Sequence, residues 1–343
     1  MRIYLNDDWS FSNEFFEGFE SAGDGLKGLA EAAGKTVETV RLPHNARDIE
    51  YNYCDDRDYQ LVSGYARTFE ADSDWQGRKV LLTFEAVGHE AQVFLNGELL
   101  CTHRNGYTAF TVDLTDRLVY GGKNYIAVRA DSRESVDQPP FGGVIDYLTY
   151  GGIYREVYLD ICEKTRIEDI FVQTMDMDCT EKTINVDMTV SPECFEEKGK
   201  VEVNFFLERW TAESEGEDRP ERVNLGTASL EKTTSAFRLT AKNVALWELE
   251  NPVLYMLTAE LKQNDIDVDT KKVRFGFREV EITDKGFFLN GRHIKLRGLN
   301  RHQSYPYAGY AMPKNMQRLD ADILKHELGV NAVRTSHYPQ SHH

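Results

Sequence analysis

The chain has 343 residues, 41% hydrophobic and 28% charged, with a formal charge of -17. This is a globular composition, long enough for two or three domains with cores of their own, and its negative charge excludes nucleic acid, whose affinity for proteins rests on cationic contacts. A membrane span is excluded, the opening MRIYLNDDWSFS lacks the basic start and apolar run of a secretory signal, and five cysteines (54, 101, 162, 179 and 194) without C-x-x-C spacing fit a reducing cytoplasm better than a disulfide framework or a zinc site.

From residue 1 to about 163, short runs of β-branched and aromatic residues separated by turn chemistry predict antiparallel sheet. KVLLTFEA (79–86), AQVFLNGELL (91–100), NYIAVRA (124–130) and YREVYLDI (154–161) are the clearest strands. Asn96-Gly97 supplies the positive backbone angles of a two-residue hairpin. This section reads as an all-β sandwich. A second β-rich section, from TRIEDIFVQT (165–174) to VRFGFREV (273–280), has the ~100 residues of an immunoglobulin-like sandwich. Within it TAESEGEDRPER (211–222) reads as an exposed hairpin loop.

After residue 280 the rhythm changes. FFLNGRHIKLRGLNRH predicts a hairpin and then a strand. KNMQRLDADILKHELG places Met316, Leu319, Ile323, Leu324 and Leu328 on one helical stripe, with Pro313 to pre-set the first turn and Gly329 to end the helix. VNAVRTSHY starts another strand. Strand, helix and strand open a parallel βαβ arrangement, but only 63 residues follow residue 280 where a (β/α) barrel needs about 250. The expectation is the start of a barrel in an amino-terminal fragment, with the helix stripe left exposed and therefore driving association or disorder after residue 280; a homo-oligomer is expected.

Functional side chains of a parallel barrel gather at the carboxyl ends of its strands. LRGLNRHQ would place Asn300, Arg301 and His302 there, and VRTSHYP would place Arg334, Ser336, His337 and Tyr338 beside them. Such a polar floor suits a hydroxyl-rich ligand. Either histidine alone reads as a satisfied structural group, and Arg334 as the partner of a carboxylate within the sheet; two histidines at matching positions favour a site. Three other motifs fail. GDGLKG (23–28) fits G-x-G-x-x-G with no strand before it, and reads as a flexible loop. HELGV has Val330 where a zinc-protease helix needs its second His, and G-x-S-x-G is absent.

LRGLNRHQ and NAVRTSHYP around an amphipathic helix resemble the opening of the catalytic barrel of glycoside hydrolase family 2, the family of the large bacterial β-galactosidases and of β-glucuronidases. AQVFLNGELL, GYTAFTVDLTD and YGGIYREVYL resemble its jelly-roll sugar-binding domain, and LWELENPVLYMLTAEL with FGFRE its immunoglobulin-like second domain. The resemblance implies a mainly β chain: a jelly-roll sugar-binding sandwich over 1–163, an immunoglobulin-like sandwich over 164–279 and the beginning of a (β/α)8 TIM barrel over 280–343. It implies that His302 and His337 line the sugar subsite, that Asn300 and Arg334 support it, and that Asp146 reaches in to hold sugar hydroxyls and is a candidate Na+ ligand. No cofactor is required, with Na+ or Mg2+ the ions implied by likeness to β-galactosidases. Tyr338 reads as packing or loop geometry.

Retaining glycosidases use two carboxylates about 5–5.5 Å apart. In the family both are glutamates on later barrel strands, the acid/base following an Asn, and the one Asn-Glu pair here is Asn13-Glu14, far too early. The expected function is the amino-terminal part of a retaining, exo-acting hydrolase of terminal β-D-galactosides, without turnover by itself. NRH resembles the β-galactosidase version, although Gln303 stands where a Glu commonly follows the His. A β-glucuronidase or β-galacturonidase is the alternative within the family, and a non-catalytic carbohydrate-binding module is the alternative of another class. The expected ligand is a β-linked sugar or oligosaccharide.

Overall fold

A computed structural model of the chain describes residues 1–48, 55–143, 145–196, 199–211 and 221–343. Cys54 and most of the loop expected at 211–222 lie outside the described residues. The fold is mainly β, and its packing forms two compact units: Met1–Cys162 together with Gly298–His343, and Glu163–Arg297.

In the first unit, two antiparallel sheets enclose one core. The larger has strand order Glu38–Val40, Trp9–Ser12, Val62–Ala71, Gly122–Asp131, Glu90–Leu95, Glu98–Arg104; the smaller has Arg2–Tyr4, Val157–Cys162, Lys79–Phe84, Phe110–Asp113. Alternation decides which residues face inward. Val80, Leu82 and Phe84 from one strand, and Val157, Leu159 and Ile161 from its neighbour, are buried against Tyr65, Val93, Ile126 and Val128 of the other sheet. The predicted hairpin turn is present, with φ of 52° at Asn96 and 90° at Gly97. The GDGLKG segment differs from its reading as a loop: Gly23–Gly25 is a 3-10 turn leading into the helix Leu26–Ala32, held because Leu26 and Ala30 are buried and Leu26 packs with Phe19, Ala66 and Tyr125.

The second unit contains a three-stranded sheet (Ile167–Met175, Glu181–Val190, Thr234–Lys242) and a four-stranded sheet (Val223–Ser229, Val201–Trp210, Leu254–Gln263, Ile266–Phe275). Their inward residues form a single core that includes Val186, Met188, Val203, Phe205, Leu257 and Phe277. This is the seven-strand plan of an immunoglobulin-like sandwich. The meander Val280–Thr283, Gly286–Leu289, Arg292–Ile294 follows in the same unit.

Gly298–Arg301 and Ala332–Thr335, back in the first unit, pair in parallel, with Asn300 opposite Arg334. Between them runs the helix Lys314–Asp322, whose last turn widens to a π-helical turn over Ile323–Glu327. Pro313 is its N-cap rather than its first helical residue, and Gly329 follows its end with φ 64°. Arg301 fastens the helix to the strand: Nε donates to Asp320 at 2.9 Å and Nη2 to Gln317 at 2.6 Å. Along the predicted stripe Leu319 and Leu328 are exposed, while Met316, Ile323 and Leu324 are partly covered. Among the described residues no helix is long and apolar enough to cross a membrane.

Candidate functional site

The two parallel strands end side by side. Ser336 continues the pairing, its N–H donating to the Arg301 carbonyl at 3.1 Å. His302 and His337 therefore follow strand ends that are held in register. Their rings are 5.5 Å apart between centroids, nearly perpendicular. Ser336, fully buried, places its hydroxyl 2.9 Å from Nε2 of His337, which leaves Nδ1 for another partner.

The first sandwich reaches the same place through the loop before its last strand. Tyr147 lies 5.2 Å from the His302 ring and 5.8 Å from that of His337. Its neighbour Asp146 is exposed and acts electrostatically on His302. Burial lowers the His302 imidazole from its ordinary range, the proximity of His337 lowers it further, and Asp146 opposes both. Burial also raises the Tyr147 phenol, to which the Asp146 charge adds.

Asp146, Tyr147 and His337 border an open cavity of about 530 Å³, with Asn105, Tyr107 and Phe141 also among its walls. That volume lies in the range of small-ligand pockets, roughly 300–1,000 Å³. One carboxylate, an imidazole and several aromatic faces suit a ring bearing hydroxyl groups: Asp146 accepts hydrogen bonds, the imidazole donates or accepts, and an aromatic face covers the ring's C–H side.

Beneath the cavity lies a tyrosine cluster. Tyr107 stacks on Tyr338 at 4.7 Å and 9°. Tyr310 packs against Tyr150 at 4.5 Å and Tyr338 at 5.1 Å. Tyr338 is buried and its hydroxyl accepts the Gln303 N–H at 3.0 Å, so it serves packing and loop geometry. Gln303 is buried as well, its Oε1 accepting the Ser341 N–H at 2.6 Å. A neutral amide meets this need without placing a charge in a buried position.

Asp146 and His337 meet at the cavity, and His302 joins them through Tyr147. Asn300 and Arg334 are exposed strand partners outside the cavity walls, and it is Arg301, not Arg334, that pairs with a carboxylate, Asp320. Sequence reasoning missed Tyr147, Phe141, Asn105 and Tyr107. Only adjacency to Asp146 could have flagged Tyr147; the others lie in loops without periodicity. For a metal, the described residues contain no group of three or more His, Cys, Asp or Glu able to hold one. Among the described residues Asp146 is the single carboxylate on the cavity wall, well short of the oxygen shell a hard cation takes.

Comparison with known proteins adds the following. Residues 40–162 match the model described as glycosyl hydrolases family 2, sugar binding domain; 165–278 match glycosyl hydrolases family 2; and 280–343 match glycosyl hydrolases family 2, TIM barrel domain. The chain is 39% identical to a β-galactosidase of Thermoanaerobacterium thermosulfurigenes over 99% of its own length and 46% of that protein's. It is 31% identical to a β-glucuronidase of Bacteroides fragilis, again covering 99% of this chain and 46% of the other. A solved structure of Bacteroides uniformis β-glucuronidase 2, covalently bound to cyclophellitol-6-carboxylate aziridine, superposes with a TM-score of 0.78 at 26% identity, over 100% of this chain and 40% of that one. The chain thus spans less than half the length of these relatives.

Proposed function

The chain belongs to glycoside hydrolase family 2, and from that premise we propose that it forms the amino-terminal part of a retaining, exo-acting hydrolase of terminal β-D-galactosides. The observation that carries the reading is the convergence of Asp146, Tyr147 and His337 on one cavity, with His302 5.5 Å from His337. In this reading Asp146 accepts from two sugar hydroxyls, Nδ1 of His337 and the His302 ring hydrogen-bond others, and Tyr147 closes one side of the ring. Asn300 and Arg334 support the floor from the strands behind. If Na+ or Mg2+ takes part, Asp146 is the ligand this chain offers.

The galactoside reading rests on NRH (300–302), which resembles the β-galactosidase version, and the charge of this part of the wall agrees with it. A substrate carboxylate calls for Lys or Arg, whereas the cavity wall contains Asp146 and no Lys or Arg among its described residues. The likeness to proteins named β-glucuronidase keeps β-glucuronides or β-galacturonides as the second reading. Retention needs a pair of carboxylates about 5–5.5 Å apart, and the described cavity wall offers Asp146, so in this reading the 343 residues by themselves are expected to bind sugar without turnover.

The test is the full-length protein on paired nitrophenyl β-D-galactoside and β-D-glucuronide, beside the 343-residue chain. The galactoside is expected to be favoured at least tenfold in kcat/KM, with the short chain inactive. Preference for the glucuronide would move the assignment to the second reading. Galactose binding without turnover in the full-length protein would leave a carbohydrate-binding module, and turnover by the short chain would refute the two-carboxylate argument.

A further inference from the structure

We infer that Arg155 is a positioning residue that sets the location of His337 from behind the cavity; the inference rests on the glycosidase reading above. His337 is exposed, and among the described residues its side chain hydrogen-bonds to Ser336, the residue before it. The ring is therefore located by its backbone. Besides the packing of buried Tyr338, that backbone is held through its own polar groups by the Ser336 N–H on the Arg301 carbonyl and by the Pro339 carbonyl, which accepts Nη2 of Arg155 at 2.7 Å. Proline has no N–H, so that residue has no backbone donor of its own to hold it in place.

The same guanidinium reaches the opposite wall. Nη1 donates to the Tyr107 carbonyl at 3.2 Å, and the Tyr107 ring stacks on Tyr338. Tyr107, His337, Tyr338 and Pro339 all border the cavity, so one planar group fixes the spacing of two walls formed by segments far apart in sequence. Arg155 is 7% exposed, and its charge faces Glu85, whose carboxyl is raised by burial and lowered in part by His342 and Arg155. Nη1 and Nη2 have carbonyl acceptors, while Nε, also buried, has no hydrogen-bond partner among the described residues, so the two carbonyls and the Glu85 charge are what hold this buried cation in place. A lysine ammonium is a point donor and lacks the fixed fork needed to span both carbonyls.

Misplacing a reacting or binding group by about 1 Å lowers rates by roughly 10²-fold. Full-length Arg155→Lys is expected to lose about 10–100-fold in kcat with KM within threefold. The effect should vanish to within threefold in a His337→Ala background, because a residue acting through His337 has nothing left to position. Losses that multiply independently in the double variant, or an Arg155→Lys enzyme within twofold of wild type, would overturn the inference. Amide exchange provides a readout that does not depend on catalysis: amides between 337 and 341 should exchange at least tenfold faster in Arg155→Lys while those of Gly122–Asp131 are unchanged, and unchanged exchange at 337–341 would refute it. If Arg155→Lys does not fold, Arg155→Gln carries the same tests; if neither folds, Arg155 is a folding determinant and the inference falls. A wild-type enzyme that hydrolyses no β-glycoside would defeat the glycosidase reading, while the exchange experiment would still decide the role of Arg155.

Discussion

Gly152 offers a measurable test of how the cavity loop is anchored. It lies where residues 44–46 run beside 151–153, with the His44 N–H on the Ile153 carbonyl at 2.8 Å and the Ala46 N–H on the Gly151 carbonyl at 2.9 Å. Its φ is +100°, and a Cβ there would meet Tyr65 Oη at 2.5 Å, the His44 carbonyl oxygen at 2.8 Å and the Ala46 nitrogen at 2.9 Å. Two of these atoms are backbone, and the Tyr65 hydroxyl is fully buried and bonded to His44. Gly152→Ala combines a disfavoured backbone conformation, about 1–3 kcal/mol, with overpacking of about 1–3 kcal/mol. Gly77 is the matched control: its φ is +91° and nothing lies within 4 Å of its Cβ position, so Gly77→Ala incurs the backbone part alone. At roughly 2–4 °C per kcal/mol for a unit of this size, calorimetry of the 343-residue chain should show Gly152→Ala melting about 10 °C below wild type and Gly77→Ala about 5 °C below. Equal shifts in the two variants would refute the close-approach argument. Asp146 is six residues upstream, so Gly152→Ala should also weaken galactose binding, which Gly77→Ala leaves unchanged.

Asp146→Asn in the full-length enzyme should lower kcat/KM by about 10–100-fold, the loss of a charged hydrogen bond of roughly 1.5–3 kcal/mol; steady-state kinetics equal to wild type would remove Asp146 from the site. Burial lowers His89 to about 4 from an ordinary value near 6.5, so the unfolded chain binds a proton that the folded one refuses. Its contribution is complete above pH 6.5 and is lost as the pH falls toward 4, by about 3 kcal/mol in all. Urea titrations at pH 7 and 5 should show that His89→Gln flattens this slope, and an unchanged slope would refute the assignment. Tyr310→Ala removes a ring that is 2% exposed and should destabilise the first unit by about 3–5 kcal/mol, with new protease cleavage after residue 297; resistance equal to wild type would show that the tyrosine cluster does not hold this segment.

What could be read from the sequence was whatever local composition, turn chemistry and period encode. Short β-branched and aromatic runs marked strands such as Lys79–Phe84 and Gly122–Asp131, Asn96-Gly97 marked its hairpin, and the stripe from Met316 to Leu328 marked a helix. The same stripe did not foretell the π-helical turn at Ile323–Glu327, because apolar spacing does not report which carbonyl each N–H selects. GDGLKG became a turn and helix because Leu26 finds Phe19 and Tyr125, a tertiary contact that overrides weak local propensity. The tyrosine cluster and the Arg155 bridge draw on residues from 59 to 339. Nothing in their local spacing announces them, and family likeness pointed to Asp146, His302 and His337 without identifying the aromatic bed beneath.

The first compact unit is interrupted: the chain leaves it at Cys162 and returns at Gly298. On a ribosome adding roughly 5–20 residues per second, the nascent sandwich waits on the order of ten seconds or more before Tyr310 and Tyr338 emerge to cover Tyr107, Tyr150 and Tyr154. Throughout that interval an aromatic surface lies open to chaperones and to neighbouring chains, so the yield of this protein in a cell depends on how translation is paced through the intervening segment.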